Sequence, residues 1–359
     1  MFEINKFKEL LEYNKENEKT TFAVAMSGGV DSSVTAYILK KQGYNVFGVT
    51  MITCEEGIDV DAKRVCDDLG IEHYVLDIQD YFQEKVIDYF VDEYKHGRTP
   101  NPCIVCNKYI KLGRLIEFAL DKGADLVATG HYTNIENGVL KVGKDLSKDQ
   151  AYFLSQVDKS KLKYLTFPLG GIDKTDVREI GKYLGVRVYA KKDSQEICFV
   201  EDGKLKEFLV DKTDGKIVKR GKIVDTTGKV LGEHQGLAFY TIGQRKGLGI
   251  SSDKPIYILK LDEKTNSIIM GSNEELMKDS LIAEDINLLK VQKLEELDGM
   301  ECFAKTRSRD KFHPCRINVI GEDKIKVSFV GDKVRAVTPG QGVVFYDENN
   351  EVIASAFII

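Results

Sequence analysis

Between Thr21 and about Val200, short apolar runs alternate with longer stretches whose apolar positions recur every three or four residues. Thr21–Met26, Asn45–Ile52, His73–Ile78 and Asp125–Thr129 have the length and apolar content of buried strands. The stretch from about Asp31 to Lys41, with Asp59–Leu69, Tyr81–Lys95 and Lys108–Lys122, has the period of amphipathic helices. This alternation predicts a parallel sheet covered by helices on both faces. Ligands of such sheets sit beyond the carboxyl ends of the strands. Ser27–Ser33, Met51 and Gly130–His131 all fall at such ends, so the pattern alone brings three segments to one crevice. Ahead of the first strand, Phe7, Leu10 and Leu11 form a small helical stripe that reads as packing.

After about Gly203 the texture changes to short β-rich runs separated by Gly and Asp turns. Lys216–Val224, Pro255–Leu261 and Ser267–Met270 form a first group. Cys302–Thr306, Cys315–Ile320, Ile325–Val330, Gly342–Tyr346 and Val352–Ile359 form a second. The expected fold class is therefore α/β: a parallel-sheet nucleotide-binding domain over 1–203, a small β-rich linker domain over 204–272, and a C-terminal β-barrel over 273–359.

Composition narrows the picture only where it departs from the ordinary. The 359 residues are 42% hydrophobic and 30% charged, as in a soluble globular protein. No stretch approaches the roughly 20 apolar residues of a membrane span, and the N-terminus lacks a signal-peptide core. The chain is expected in the cytoplasm and away from membranes. A net charge of −5 does not mark a nucleic-acid binder. Locally, Lys204–Lys222 holds seven Lys/Arg against three acids, and Lys305–Arg316 five against one. Such runs can meet phosphates, although most are only solvated faces. Seven cysteines in a reducing compartment lean toward metal or catalytic use.

The segment Ala25-Met26-Ser27-Gly28-Gly29-Val30-Asp31-Ser32-Ser33 follows the first strand and opens the first helix. Its glycines allow close approach of a phosphate. The helix N-terminus supplies N–H donors and partial positive charge, and the serines add hydroxyls. The Gly-Lys-[Ser/Thr] of an ordinary P-loop is absent. The string resembles the PP-loop of ATP pyrophosphatases, which split ATP to AMP and pyrophosphate while adenylating a substrate.

A second signal is Gly97-Arg-Thr-Pro-Asn-Pro-Cys-Ile-Val-Cys-Asn-Lys108. Pro100 and Pro102 stiffen a loop that presents Cys103 and Cys106 at the start of the next helix, where thiolate is favoured. Cys198 lies far along, in Asp193-Ser-Gln-Glu-Ile-Cys-Phe199, after Lys191-Lys192. With ATGHY, KDQAYFL, GEHQGL, TIGQRKGLG and AVTPGQGVVFY, these stretches resemble, in order and over nearly the whole chain after Thr21, the tRNA-specific 2-thiouridylases. That family puts sulfur on C2 of the wobble uridine of certain tRNAs.

The resemblance implies a set of roles. Ala25, Met26, Ser27, Gly28, Gly29, Val30, Asp31, Ser32, Met51 and Gly130 would hold ATP. Cys106 would be the nucleophile, and Cys198 would carry a persulfide. Asn101, Pro102 and Cys103 would face the target base, with His131 helping to orient it. Lys148, Asp149, Gln150, Ser308, Arg309 and Gln341 would touch tRNA. The tRNAs would be those for Lys, Glu and Gln. Sulfur would come from a cysteine desulfurase, a sulfur carrier or free sulfide.

The chemistry suits these residue types. Adenylation turns the uridine C2 oxygen into a good leaving group, and magnesium would offset the phosphate charge. Asp31 is the candidate acidic partner of Mg2+, or simply a helix cap. Cys103 stands where many members carry aspartate (NPDxxCN), which opens a second route. Cys103, Cys106 and Cys198 are also the three thiolates that could hold a [4Fe–4S] cluster with one open iron. A zinc site would need a fourth ligand that is not obvious. Cys54 sits at a strand end near Met51. Cys66, Cys302 and Cys315 read as buried packing residues. Three other readings leave motifs unexplained. An amide-forming ligase has no need of the cysteine loop. A thiol redox carrier has no need of SGGVDSS. A plain RNA-binding module accounts for no cysteine.

Overall fold

A computed structural model describes residues 4–54, 58–191 and 197–359. The chain divides into two compact units, one of Met1–Lys85, Ile104–Gln195 and Asn350–Val352, the other of Val86–Cys103, Glu196–Asn349 and Ile353–Ile359.

The first unit is built on a five-stranded sheet: β1 (Thr21–Ala25), β2 (Asn45–Ile52), β3 (His73–Asp77), β4 (Leu126–Ala128) and β7 (Leu165–Thr166). Its order is β3-β2-β1-β4-β7, and every pairing is parallel. Buried alternating positions of β1 and β2 pack against α1 (Val30–Lys41) and α2 (Ile58–Leu69), with Phe22, Val24, Ala36, Leu39, Val65 and Cys66 in one core. On the other side of α1, Val34 and Ile38 meet Val177 and Ile180 of α8 (Lys174–Tyr183), and Phe7 joins this core as expected. The chain runs from β1 outward through β2 to β3, then returns to place β4 on the opposite side of β1. The order in which strands are added therefore reverses between β1 and β4, while every strand stays parallel. A crevice opens at such a point because the connections leave the two strand ends in opposite directions.

The sequence pattern missed a hairpin, β5 (Thr133–Glu136) with β6 (Val139–Val142), whose runs are only four residues long. It also missed two wide turns. The expected helix Tyr81–Lys95 is α3 (Gln79–Phe82), a π segment Gln83–Asp88 and α4 (Tyr89–Lys95). The expected helix Lys108–Lys122 is α5 (Pro102–Cys106), a π segment Asn107–Arg114 and α6 (Leu115–Asp121). A further short helix, α7 (Ala151–Leu154), follows the hairpin.

In the second unit, α9 (Leu205–Lys212) precedes a four-stranded sheet of β8 (Gly221–Asp225), β9 (Val230–His234), β10 (Tyr257–Asp262) and β11 (Ser267–Gly271), in the order β10-β11-β8-β9. Ile223, Leu248, Ile258, Ile268 and Met270 form its core. A small pair, β12 (Met277–Lys278) with β17 (Val334–Arg335), leads to a closed barrel. The barrel runs β13 (Ser280–Leu288), β16 (Lys324–Phe329), β15 (His313–Gly321), β14 (Glu301–Lys305), β18 (Gly342–Tyr346) and β19 (Val352–Ile358). Alternate inward residues such as Ala283, Ile317, Val327 and Phe345 fill it. Closure leaves no unpaired edge.

Candidate active site

The glycine-rich turn follows β1 at the reversal of the sheet. Met26 is buried, and its N–H donates to Val49 O at 2.8 Å, which extends the strand pairing to the edge of the turn. Gly28 takes φ +66°, a conformation that disfavours side chains. The serine hydroxyls tie the turn to the helix it opens. Ser32 Oγ accepts from Ser27 N–H at 3.2 Å and donates to Gly29 O at 3.2 Å, and Ser33 Oγ donates to Gly29 O at 2.8 Å. The first N–H groups of α1, from Val30 on, have no partner within the helix by construction and face an anion naturally. Gly130, just past β4, approaches this helix end so closely that a Cβ there would lie 2.8 Å from the Asp31 backbone and 2.9 Å from Ser32 N. Glycine is thus required at 130 because the loop after β4 meets the first turn of α1 there. Met51, the next-to-last residue of β2, is half-buried.

Asp31 differs from expectation. Gly29, with no side chain, occupies the cap position, so Asp31 is not the cap. Both its carboxylate oxygens accept from Lys174 Nζ at 2.7 Å, and Oδ1 also accepts from Tyr132 Oη at 2.7 Å. Lys174 is buried, with its ammonium 5.4 Å from the Tyr132 ring centre. A carboxylate already held by an ammonium and a hydroxyl does not fit a magnesium ligand. The sequence carried no signal for Lys174, which lies 143 residues from Asp31. A second cation, Lys191 Nζ, reaches Gly28 O at 3.3 Å and Asp61 at 2.9 Å, and holds the Asp61 carboxyl below its usual range. Lys192 and residues 193–196 of the motif before Cys198 lie outside the described residues.

His131 donates to or accepts from Thr129 Oγ1 at 2.7 Å through Nδ1. Desolvation, with the Lys111 cation adding to it, pushes its pKa down to about 3, although the residue as a whole is only half-buried. The imidazole is therefore neutral near pH 7. The neighbouring loop is held in place by the residues expected to touch RNA. Gln150 Oε1 accepts from Tyr132 N–H at 2.9 Å, and Asp149 Oδ1 accepts from Gly143 N–H at 2.9 Å. Lys148 lies in the same loop.

The cysteine loop begins with a cap. Asn101 Oδ1 accepts from Cys103 N–H at 3.2 Å, and Pro102 occupies the first helical position, so Asn-Pro is the start signal of α5. Cys103 is exposed and Cys106 buried. Asn107, which the motif does not single out, is buried. Its Nδ2 donates to Phe153 O at 3.1 Å, and its Oδ1 has no hydrogen-bond partner. A buried acceptor in that state costs about 1–3 kcal/mol. Cys198 is exposed, as is Cys54. Among the described residues no group of three or more His, Cys, Asp or Glu is placed to hold a metal ion. Burial pushes the Cys66 thiol up to about 11, in keeping with packing. Cys302 and Cys315 face each other across β14 and β15 with their sulfurs 3.7 Å apart. That contact and their burial raise the Cys302 pKa.

Ser308 and Arg309 lie on the turn after β14, with Arg309 exposed. Gln341 is not pointed wholly at solvent: its Nε2 donates to Thr99 O at 2.7 Å. Among the described residues no helix is long and apolar enough to cross a membrane.

Three family models match the chain: a tRNA methyl transferase HUP domain over 20–202, a tRNA methyl transferase PRC-barrel domain over 206–272, and an aminomethyltransferase beta-barrel domain over 278–358. The chain is 59% identical to the tRNA-specific 2-thiouridylase MnmA 1 of Fusobacterium nucleatum, over 98% of this chain and 97% of that one. It is 45% identical to the tRNA-specific 2-thiouridylase MnmA of Clostridioides difficile, over 90% and 94%. Among solved structures, NMN synthetase from Francisella tularensis matches with a TM-score of 0.38 and 19% identity, over 61% of this chain and 89% of that one.

Proposed function

The chain belongs to the tRNA-specific 2-thiouridylase family, and from that premise we propose that it is a tRNA-uridine 2-sulfurtransferase driven by ATP. The observation that supports the ATP part is the close approach of Gly130 to Asp31 and Ser32, which leaves room only for glycine beside the Ser27–Ser32 turn. Main-chain N–H groups of the turn and the hydroxyls of Ser27 and Ser32 would bind the phosphates, with Lys191 as a nearby cation. Lys174 and Tyr132 bond the Asp31 carboxylate, and the ammonium would offset its charge beside the phosphates. The three-part organisation 1–203, 204–272 and 273–359 belongs to the same reading, with tRNA touching the later two parts.

In the reaction, the uridine C2 oxygen attacks the α-phosphorus of ATP and pyrophosphate leaves. A persulfide on Cys198 attacks C2 through its terminal sulfur, and the C–O bond to AMP breaks. The Cys106 thiolate then attacks the Cys198 sulfur. That breaks the S–S bond, leaves the terminal sulfur on C2, and forms a Cys106–Cys198 disulfide. A thiol reductant supplies the two electrons that reopen it. Neutral His131 would hydrogen-bond the base without adding charge. The physiological donor would load Cys198, and Arg309 with Ser308 would meet the tRNA backbone.

Cys106→Ser and Cys198→Ser should each abolish thiolation and leave tRNA binding nearly intact. Thiolated product from either variant would remove that cysteine from the chemistry. Iron and acid-labile sulfide should be absent from protein purified without air, with thiolation intact. About four irons per chain, lost together with activity in Cys103→Ala, would replace the persulfide route by a cluster.

A further inference from the structure

The loop that ends in Asn101 and Cys103 is held at one upstream residue by the same compact unit that contains it. Thr99 N–H donates to Pro339 O at 2.9 Å, and Thr99 O accepts from Gln341 Nε2 at 2.7 Å. Both main-chain polar groups of Thr99 therefore end on the 338–341 turn. A third bond links Thr99 Oγ1 to Thr241 Oγ1 at 3.3 Å. The turn is itself fixed to the barrel. Gly340 N–H donates to Ile358 O at 2.9 Å, and Ile358 N–H donates to Gln341 O at 2.9 Å. Gly340 adopts φ +89°, and a Cβ there would lie 3.1 Å from Glu93 Oε2 and 3.1 Å from the Thr99 N and C atoms. Glu93 is buried and accepts from Nε and Nη2 of one guanidinium edge of Arg98, the residue before Thr99. Beyond Thr99, Pro100 is buried and Pro102 opens the helix. Two prolines in three residues leave little rotation between the clamp and the Asn101 cap.

We propose that Gln341 is a positioning residue for the sulfur-transfer loop. Its amide grips Thr99 and, through the stiff Pro-Asn-Pro link, sets where Asn101 and Cys103 stand before RNA arrives. This assigns to Gln341 a task other than direct contact with the nucleic acid. It rests on the reading above for its effect on turnover, though not for the clamp itself.

The test uses the full chain with Gln341→Glu, which keeps the size of the side chain and replaces the donor by an acceptor facing Thr99 O. Gln341→Met is a second variant without the added charge, should the first fail to fold. Amide exchange of the peptide spanning Thr99–Cys103 is followed by mass spectrometry, together with carboxymethylation of Cys103. Thiolation kcat and tRNA affinity are measured in parallel. Exchange in that peptide should rise roughly fivefold to tenfold, as for one lost hydrogen bond. Cys103 should be carboxymethylated at an altered rate, and kcat should fall at unchanged tRNA affinity. Unchanged exchange with weakened tRNA affinity would make Gln341 a plain RNA contact and overturn the proposal. Faster exchange with normal kcat would reduce the clamp to a structural tie and overturn the positioning role. If wild-type protein proved inactive on every tRNA, the proposed function would fail while the exchange result still judged the clamp.

Discussion

His131 and Lys174 show how burial sets chemistry at single residues. The His131 pKa is lowered, so the folded protein stays unprotonated there while the unfolded chain binds a proton below about pH 6.5. The unfolded state then holds more protons, and stability from this group falls as pH drops from about 6.5 toward 3. Urea midpoints between pH 7 and 4.5 should fall less steeply in His131→Asn than in wild type. Parallel slopes would show that His131 is not the group responsible. Lys174→Met leaves the Asp31 carboxylate without its ammonium. Breaking a half-buried pair of this kind should cost roughly 1–3 kcal/mol, less than a fully buried one because Asp31 keeps some contact with solvent. Pyrophosphate release should fall with it. A stability unchanged from wild type would make the pair incidental. The sequence exposed Asp31 and His131 because each stands in a dense local motif. It could not expose Lys174, Tyr132 or Gln341's grip on Thr99, because those pairings exist only once distant segments are folded together.

At the level of elements, periodicity located the four longer strands of the parallel sheet within a residue or two, since each is an apolar run between polar turns. It could not see the π segments Gln83–Asp88 and Asn107–Arg114, because a local switch to i→i+5 bonding inside a helix has no residue-type signal of its own. The second begins directly after Cys106, where a widened turn shifts the facing of every later side chain. The pattern also missed β13 and the short β12, β17 and β9, whose half-exposed residues carry little apolar signal. Packing between α2 and β2 supplies a test at this scale. A Cβ on Gly48 would lie 2.5 Å from Cys66 Sγ and 3.0 Å from Met26 Cγ. Gly48→Ala should therefore destabilise by about 1–3 kcal/mol, as overpacked cores do. Adding Cys66→Ala should recover part of the loss, a coupling that a double-mutant cycle reads directly. Strict additivity would show that the two elements do not meet there.

For the whole molecule, residues 86–103 group with the barrel-containing unit although they lie early in the chain, a consequence of long-range contacts such as Tyr89 with Phe357 and Thr99 with Pro339. The broad class was readable, a parallel α/β sheet followed by β-rich parts and a barrel, because strand spacing changes near residue 203. The affiliation of one loop with a distant barrel was not. If the exposed turn at Ser308–Arg309 meets tRNA phosphate, Arg309→Ala should weaken binding and lower the slope of log affinity against log salt by about one. An unchanged slope would move the RNA footprint elsewhere. The most direct test of the function is to incubate the protein with unmodified tRNA, ATP and a persulfide donor, and to count AMP, pyrophosphate and 2-thiouridine together. One AMP and one pyrophosphate per 2-thiouridine, all requiring tRNA, is the predicted result. Thiolation without AMP, or AMP released at the same rate without tRNA, would contradict the account.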